Sequence, residues 1–104
     1  MARFDIYPNP IAEDRPEFPF VLQIQSDLLY QFTERVCVPL ARPQAVPGLT
    51  ERFNPSVEVA GEVLRLHPLG ISVFYVSELR ASIASAQARG LDIETALDML
   101  LRGY

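Results

Sequence analysis

The side chains best suited to chemistry are few. His67 is the only histidine and Cys37 the only cysteine. A zinc site needs four N, S or carboxylate ligands, and only Cys37 could join His67 as a soft donor, so the set falls short of a metal site. As a nucleophile and base the same two residues lack a third group to orient the imidazole. Val36-Cys37-Val38 also places the thiol in an apolar run, where cysteine behaves as a small buried hydrophobe. Carboxylates neighbour one another at Glu13 and Asp14 and again at Asp92 and Glu94. Neither pair lies in apolar sequence that would split it into an acid and a base. A solvated loop and a helix N-terminus explain them. The glycines Gly48, Gly61, Gly70, Gly90 and Gly103 are scattered singly, so no phosphate-cradling loop exists. These patterns imply no catalytic residue, no metal and no cofactor. The reading that remains is a protein that acts by docking, which directs attention to the chain end, where Arg102 and Tyr104 are of types enriched in binding hot spots.

Composition bounds the partners. The 104 residues fit a single domain spanning 1–104, and 49% hydrophobic with 21% charged residues is ordinary globular usage. A domain this small buries about two thirds of its unfolded surface, which favours completion of the core by a second copy. A net charge of −4 disfavours a grip on phosphate backbones, so no direct sequence-specific nucleic-acid binding is expected. All nine basic residues are arginine, a bias that codon usage explains for most of them. A lone cysteine requires no oxidising compartment, so a cytoplasmic protein is expected. No apolar run approaches the roughly 18 residues of a membrane span.

The elements that would position a docking surface follow from periodicity. Arg3–Tyr7 alternates as a first strand, and Pro8, Pro10, Pro16 and Pro19 make the following stretch a loop. Phe20–Ser26 alternates more strongly. Val36–Leu40 reads as a buried strand whose end Pro39 sets at an edge or bulge. Ala41–Asn54 is turn-rich. Val57–Leu66 reads as a hairpin turning at Ala60-Gly61-Glu62, and Ile71–Val76 as a central strand. From Ser77 the period becomes helical through Leu79, Ile83 and Ala86, and Gly90 interrupts it. A cleaner helix carries Ile93, Ala96, Leu97, Leu100 and Leu101, with Asp92 as N-cap and Gly103 as the terminating glycine. The fold class is α+β: a small, strongly bent antiparallel sheet or SH3-like, partly open barrel, with a second small sheet and a C-terminal helix.

Several segments together resemble the CcdB family of plasmid-maintenance toxins, inhibitors of DNA gyrase. They are the N-terminal Phe-x-Ile-Tyr, Phe20-Val-Leu-Gln-Ile-Gln-Ser-Asp-Leu-Leu, Arg35-Val-Cys-Val-Pro-Leu40, Asn54-Pro55-Ser-Val-Glu-Val59, Ile71–Val76 and the ending Ile93–Tyr104. The order and spacing of Gln25-Ser26-Asp27, Pro39-Leu40 and Ala96 to Gly103 make the likeness more specific than any single segment. It implies a homodimer that binds the gyrase A subunit and traps the cleaved DNA–gyrase complex. It also implies a cognate antitoxin whose disordered C-terminal tail folds on binding. Where well-studied members end in Trp-Gly-Ile and stack paired tryptophans on a target arginine, this chain has Arg102, Gly103 and Tyr104 as its target-binding residues. Arginine offers no electron-rich ring face, so either Tyr104 supplies the aromatic surface or the target differs. Two other classes compete. An RNA-cleaving toxin on the related barrel would need a basic groove and an acid–base set. A homologue with altered or lost gyrase activity would keep the fold as a non-toxic binding module.

Overall fold

Short apolar alternations punctuated by proline and glycine become strands because each buries one face against the next. The computed structural model describes residues 1–104 and has seven of them. These are β1 (Asp5–Pro8), β2 (Phe20–Gln23), β3 (Glu34–Ala41), β4 (Ser56–Val59), β5 (Glu62–Leu66), β6 (Ser72–Tyr75) and β7 (Ala84–Ser85). All pairings are antiparallel, in the order β4-β5-β3-β2-β1-β7, with β6 also on β3. Helix α1 (Gly90–Arg102) follows, so the expected α+β class and the bent, barrel-like sheet with a C-terminal helix are observed.

β3 organises the sheet. One edge pairs with β2 from Cys37 to Leu40, while the other is shared between β6 at Glu34–Cys37 and β5 at Leu40–Ala41. Pro39 lies where the second edge changes partner, and its carbonyl accepts from His67 N at 3.0 Å. The strand therefore does not end at Pro39 as expected, since the missing N–H falls where no ladder bond is needed. β4 and β5 turn on two residues, Ala60 (φ 53) and Gly61 (φ 80), the positive-φ pair of a two-residue hairpin. Glu62 belongs to β5 rather than to the turn. This hairpin extends the one seven-stranded sheet, which it joins through two residue pairs between β5 and β3.

Alternation sorts the side chains into two layers. Ile6, Leu22, Val38 and Leu40 face one way and pack with Val57, Leu64 and Leu66 of the hairpin and with Ile93, Ala96 and Leu97 of α1. Tyr7, Val21, Cys37 and Phe74 face the other way and form a smaller cluster with Leu79.

Two expectations fail for tertiary reasons. The helical spacing of Leu79, Ile83 and Ala86 produces no helix: a 3-10 turn at Val76–Glu78 leads to β7, which pairs with β1. Ile83 N donates to Ile6 O and Ala86 N to Phe4 O, both at 2.9 Å, so the free edge of β1 supplies bonds that local spacing does not foresee. Gly90 begins the helix instead of interrupting it, and a Cβ there would lie 3.1 Å from the Phe4 ring. Arg89 occupies the N-cap position, and Asp92, expected there, sits in the first turn with its carboxylate 2.8 Å from Arg89. Ile71–Val76 is not central. β6 pairs only with β3, and Val73 and Tyr75 are each 59% exposed.

Candidate partner-binding surface

The helix end is built by its own sequence. The stripe is buried at Ile93, Ala96 and Leu97, and its last member, Leu101, is exposed together with the three residues that follow. Gly103 adopts φ 83 and donates its N–H to the carbonyls of Asp98 (3.2 Å) and Met99 (3.1 Å), the left-handed termination that glycine permits without strain. Arg102 and Tyr104 are exposed on either side of it. The Arg102 Nε lies 3.8 Å from Asp98, too loose to hold the guanidinium away from a partner.

Arg3 fixes α1 against the sheet. Its guanidinium bonds Glu94 at 2.8 Å and the Ile24 carbonyl at 3.1 Å, while its backbone N–H donates to Asp27 at 2.7 Å. Beside this clamp, Ile24, Ile71, Leu97, Leu100 and Leu101 line a depression of about 300 Å³. At the start of α1, Arg89 bridges Glu51, Asp92 and the Ser56 carbonyl, tying the 42–55 connection to the helix.

The helix and hairpin cover only part of the inner sheet layer. Beyond them Val73 and Tyr75 on β6 point outward on the same side as Val36, and Ile71, just before the strand, is exposed with them. The segment before β3 adds Leu28, 84% exposed, Tyr30, 76% exposed, and Phe32. Arg35 holds that segment in place. It is 6% exposed, has no carboxylate within ion-pair distance, and donates to the carbonyls of Phe32, Glu34 (2.9 Å) and Tyr30 (3.1 Å). Contiguous exposed apolar side chains of this kind mark an interaction surface.

The chemistry-bearing side chains lie elsewhere. Cys37 and His67 do line a common cavity on the opposite layer. Burial pushes the Cys37 thiol up to about 12, against a smaller opposing pull from Arg35, so no thiolate nucleophile forms near neutrality. Burial lowers the pKa of His67. Glu13 and Asp14 sit exposed on a 3-10 turn, and Asp92 and Glu94 are each held by an arginine. No three His, Cys, Asp or Glu side chains converge as metal ligands. No helix is long and apolar enough to cross a membrane.

Residue type singles out Arg102 and Tyr104, the family resemblance adds Gly103, and all three are exposed at the helix end. Sequence patterning did not point to Ile71, Val73 and Tyr75, whose alternation with Ser72 and Phe74 was legible but whose burial was assumed. The Arg35 clamp had no sequence signal, because its partners are backbone carbonyls.

A protein-family model described as CcdB protein matches residues 3–103. No curated protein matches the chain.

Proposed function

The chain belongs to the CcdB family, toxins of toxin–antitoxin systems that poison gyrase without being catalysts, and from that membership we propose a homodimer that docks onto the gyrase A subunit through Arg102, Gly103 and Tyr104. Docking holds gyrase on cleaved DNA, and a cognate antitoxin with a disordered C-terminal tail relieves it. The observation that carries this reading is the free helix end, where a glycine cap presents Arg102 and Tyr104 clear of the core. Tyr104 supplies the flat aromatic surface and Arg102 a planar cation, both suited to a protein target.

The dimer reading is supported by the uncovered face of Ile71, Val73 and Tyr75 beside the helix. A two-fold contact would set one copy's exposed sheet against the other's and bring both helix ends together. A stable pairing of this kind buries about 1,600 Å² in total.

The deciding experiment mixes the purified protein with gyrase and supercoiled DNA and looks for protein-linked cleaved DNA after denaturation. Accumulation that disappears when residues 102–104 are removed supports the proposal. Absence of both cleavage trapping and binding to a gyrase A fragment sinks it. Replacement of an aromatic side chain by Arg102 favours a second reading, in which the docking end is kept but the target surface has changed. In that case the protein arrests growth on induction while gyrase from the same cells stays uninhibited.

A further inference from the structure

The chain begins with a strained turn. Asp5 N–H closes it on the Ala2 carbonyl at 3.0 Å, and Ala2 N–H donates to the Asp5 carboxylate at 2.9 Å. Phe4 fills the third place of this turn with φ 72, a left-handed backbone for which glycine or asparagine is usual and which a bulky side chain rarely adopts. Ala60, the other non-glycine residue with positive φ, belongs to a two-residue hairpin. The surroundings of Phe4 impose its conformation. Its N–H donates to the Gln23 carbonyl at 2.7 Å, its carbonyl accepts from Ala86 N–H at 2.9 Å, and its buried ring lies where a Cβ on Gly90 would stand 3.1 Å away. Strain held from several sides in this way clusters where the position of a group matters.

The group so positioned is Arg3. Its Cζ lies 4.6 Å from the centroid of the Phe4 ring, and from there Nη1 reaches Glu94 on α1 while Nε reaches the carbonyl of Ile24 just past β2. Its own N–H is fixed on Asp27. One side chain thus ties the helix to the sheet through directional bonds, whereas the apolar packing of Ile93, Ala96 and Leu97 is non-directional. The tilt of α1 matters at its far end. Leu97 is the last buried residue, and the rest of the helix overhangs the depression lined by Ile24, Leu100 and Leu101, with Arg3 on its rim. Arg102 lies about 12 Å along the axis from Glu94, so a tilt of about 5° there moves the docking end by about 1 Å.

We propose that Arg3 is a positioning residue for partner binding: held by the left-handed turn at Phe4, it sets the tilt of α1 and with it the place at which Arg102, Gly103 and Tyr104 meet their target. This rests on the reading of the helix end as the docking site. Arg3 itself touches no partner. It acts by raising the fraction of molecules whose helix end is already in the binding orientation, and the apparent affinity scales with that fraction.

The test uses the full chain and three variants: Arg3→Met, which keeps the stem against the Phe4 ring and removes the donors, Glu94→Ala, and the two combined. Calorimetry reads binding to a gyrase A fragment at a temperature where every variant is folded, so a merely stabilising role leaves the affinity at the parent value. Residual dipolar couplings read the orientation of α1 against the sheet. Each single variant binds about fivefold more weakly, the worth of one part-exposed ion pair, and melts within about 4 °C of the parent. The combined variant binds no worse than Arg3→Met, because both changes remove the same tie. Arg3→Lys, which keeps a charge opposite Glu94, falls between Arg3→Met and the parent. Parent-like affinity in Arg3→Met overturns the proposal, as do additive losses in the combined variant. Couplings of α1 that are unchanged in Arg3→Met overturn it by themselves. Absence of binding by the parent chain sinks the docking reading instead, and the couplings then decide whether Arg3 sets the helix tilt. If Arg3→Met does not fold, Glu94→Ala, which alters only the exposed end of the tie, decides by the same two measurements.

Discussion

Replacing Arg35 by methionine keeps the aliphatic stem and removes every donor. The guanidinium makes charge-assisted bonds to three carbonyls, those of Phe32, Glu34 and Tyr30, and such bonds contribute about 1.5–3 kcal/mol each. The sum overstates the loss. Tyr30 and Phe32 lie on an exposed segment whose carbonyls reach water once it relaxes, and removing a buried cation without a carboxylate partner returns its desolvation cost. A net loss of about 2 kcal/mol is expected, which for a domain of this size lowers the melting temperature by roughly 10 °C. The larger effect is local. Amide exchange over residues 28–33 rises by at least tenfold at about 1.4 kcal/mol of lost local stability, while α1 exchanges as before. Arg35→Lys falls between, because one ammonium cannot span three carbonyls as a planar fork does. Thermal melts with hydrogen-exchange mass spectrometry read both quantities. A melting point within about 2 °C of the parent, together with unchanged exchange at 28–33, would refute the clamp.

Three further outcomes follow from the same structure. Gly103→Ala forces a side chain into φ 83 and costs about 1 kcal/mol at the helix end, so exchange of the last-turn amides increases and target binding weakens with little change in global melting. Val73→Arg puts a charge in the exposed β6 face without touching the core; sedimentation should show monomer where the parent is dimeric, and an unchanged dimer would place the interface elsewhere. Cys37 has its pKa raised from 9.0 to about 12 by burial, so the unfolded chain releases that proton first. Stability from this group is therefore complete below pH 9.0 and is lost as pH rises towards 12; in Cys37→Ala the alkaline decline begins later, near 10, where Tyr7, likewise raised to about 12 by burial, takes over.

The order of the elements was legible because it rests on local signals. Phe20, Leu22 and Ile24 alternate with Gln23 and Gln25, Ala60 and Gly61 turn a hairpin, and Ile93, Ala96 and Leu97 repeat at helical spacing before Gly103. The family likeness drew on the same segments. Leu79, Ile83 and Ala86 misled for an equally physical reason. Their spacing is compatible with a helix, but the unpaired edge of β1 offered hydrogen bonds to Ile83 and Ala86 that a helix facing solvent could not match.

By itself the sequence determined the fold class and the C-terminal helix that ends at Gly103. Each of these is a property of residues close together in the chain. Only tertiary structure decided which strand faces are covered. Burial of Ile71, Val73 and Tyr75 depends on how far α1 reaches across the sheet, and the Arg35 clamp depends on where the 30–34 backbone passes. The cavity over Cys37 likewise needed His67 to be brought against Phe18, a meeting of residues nearly fifty positions apart that no local period encodes.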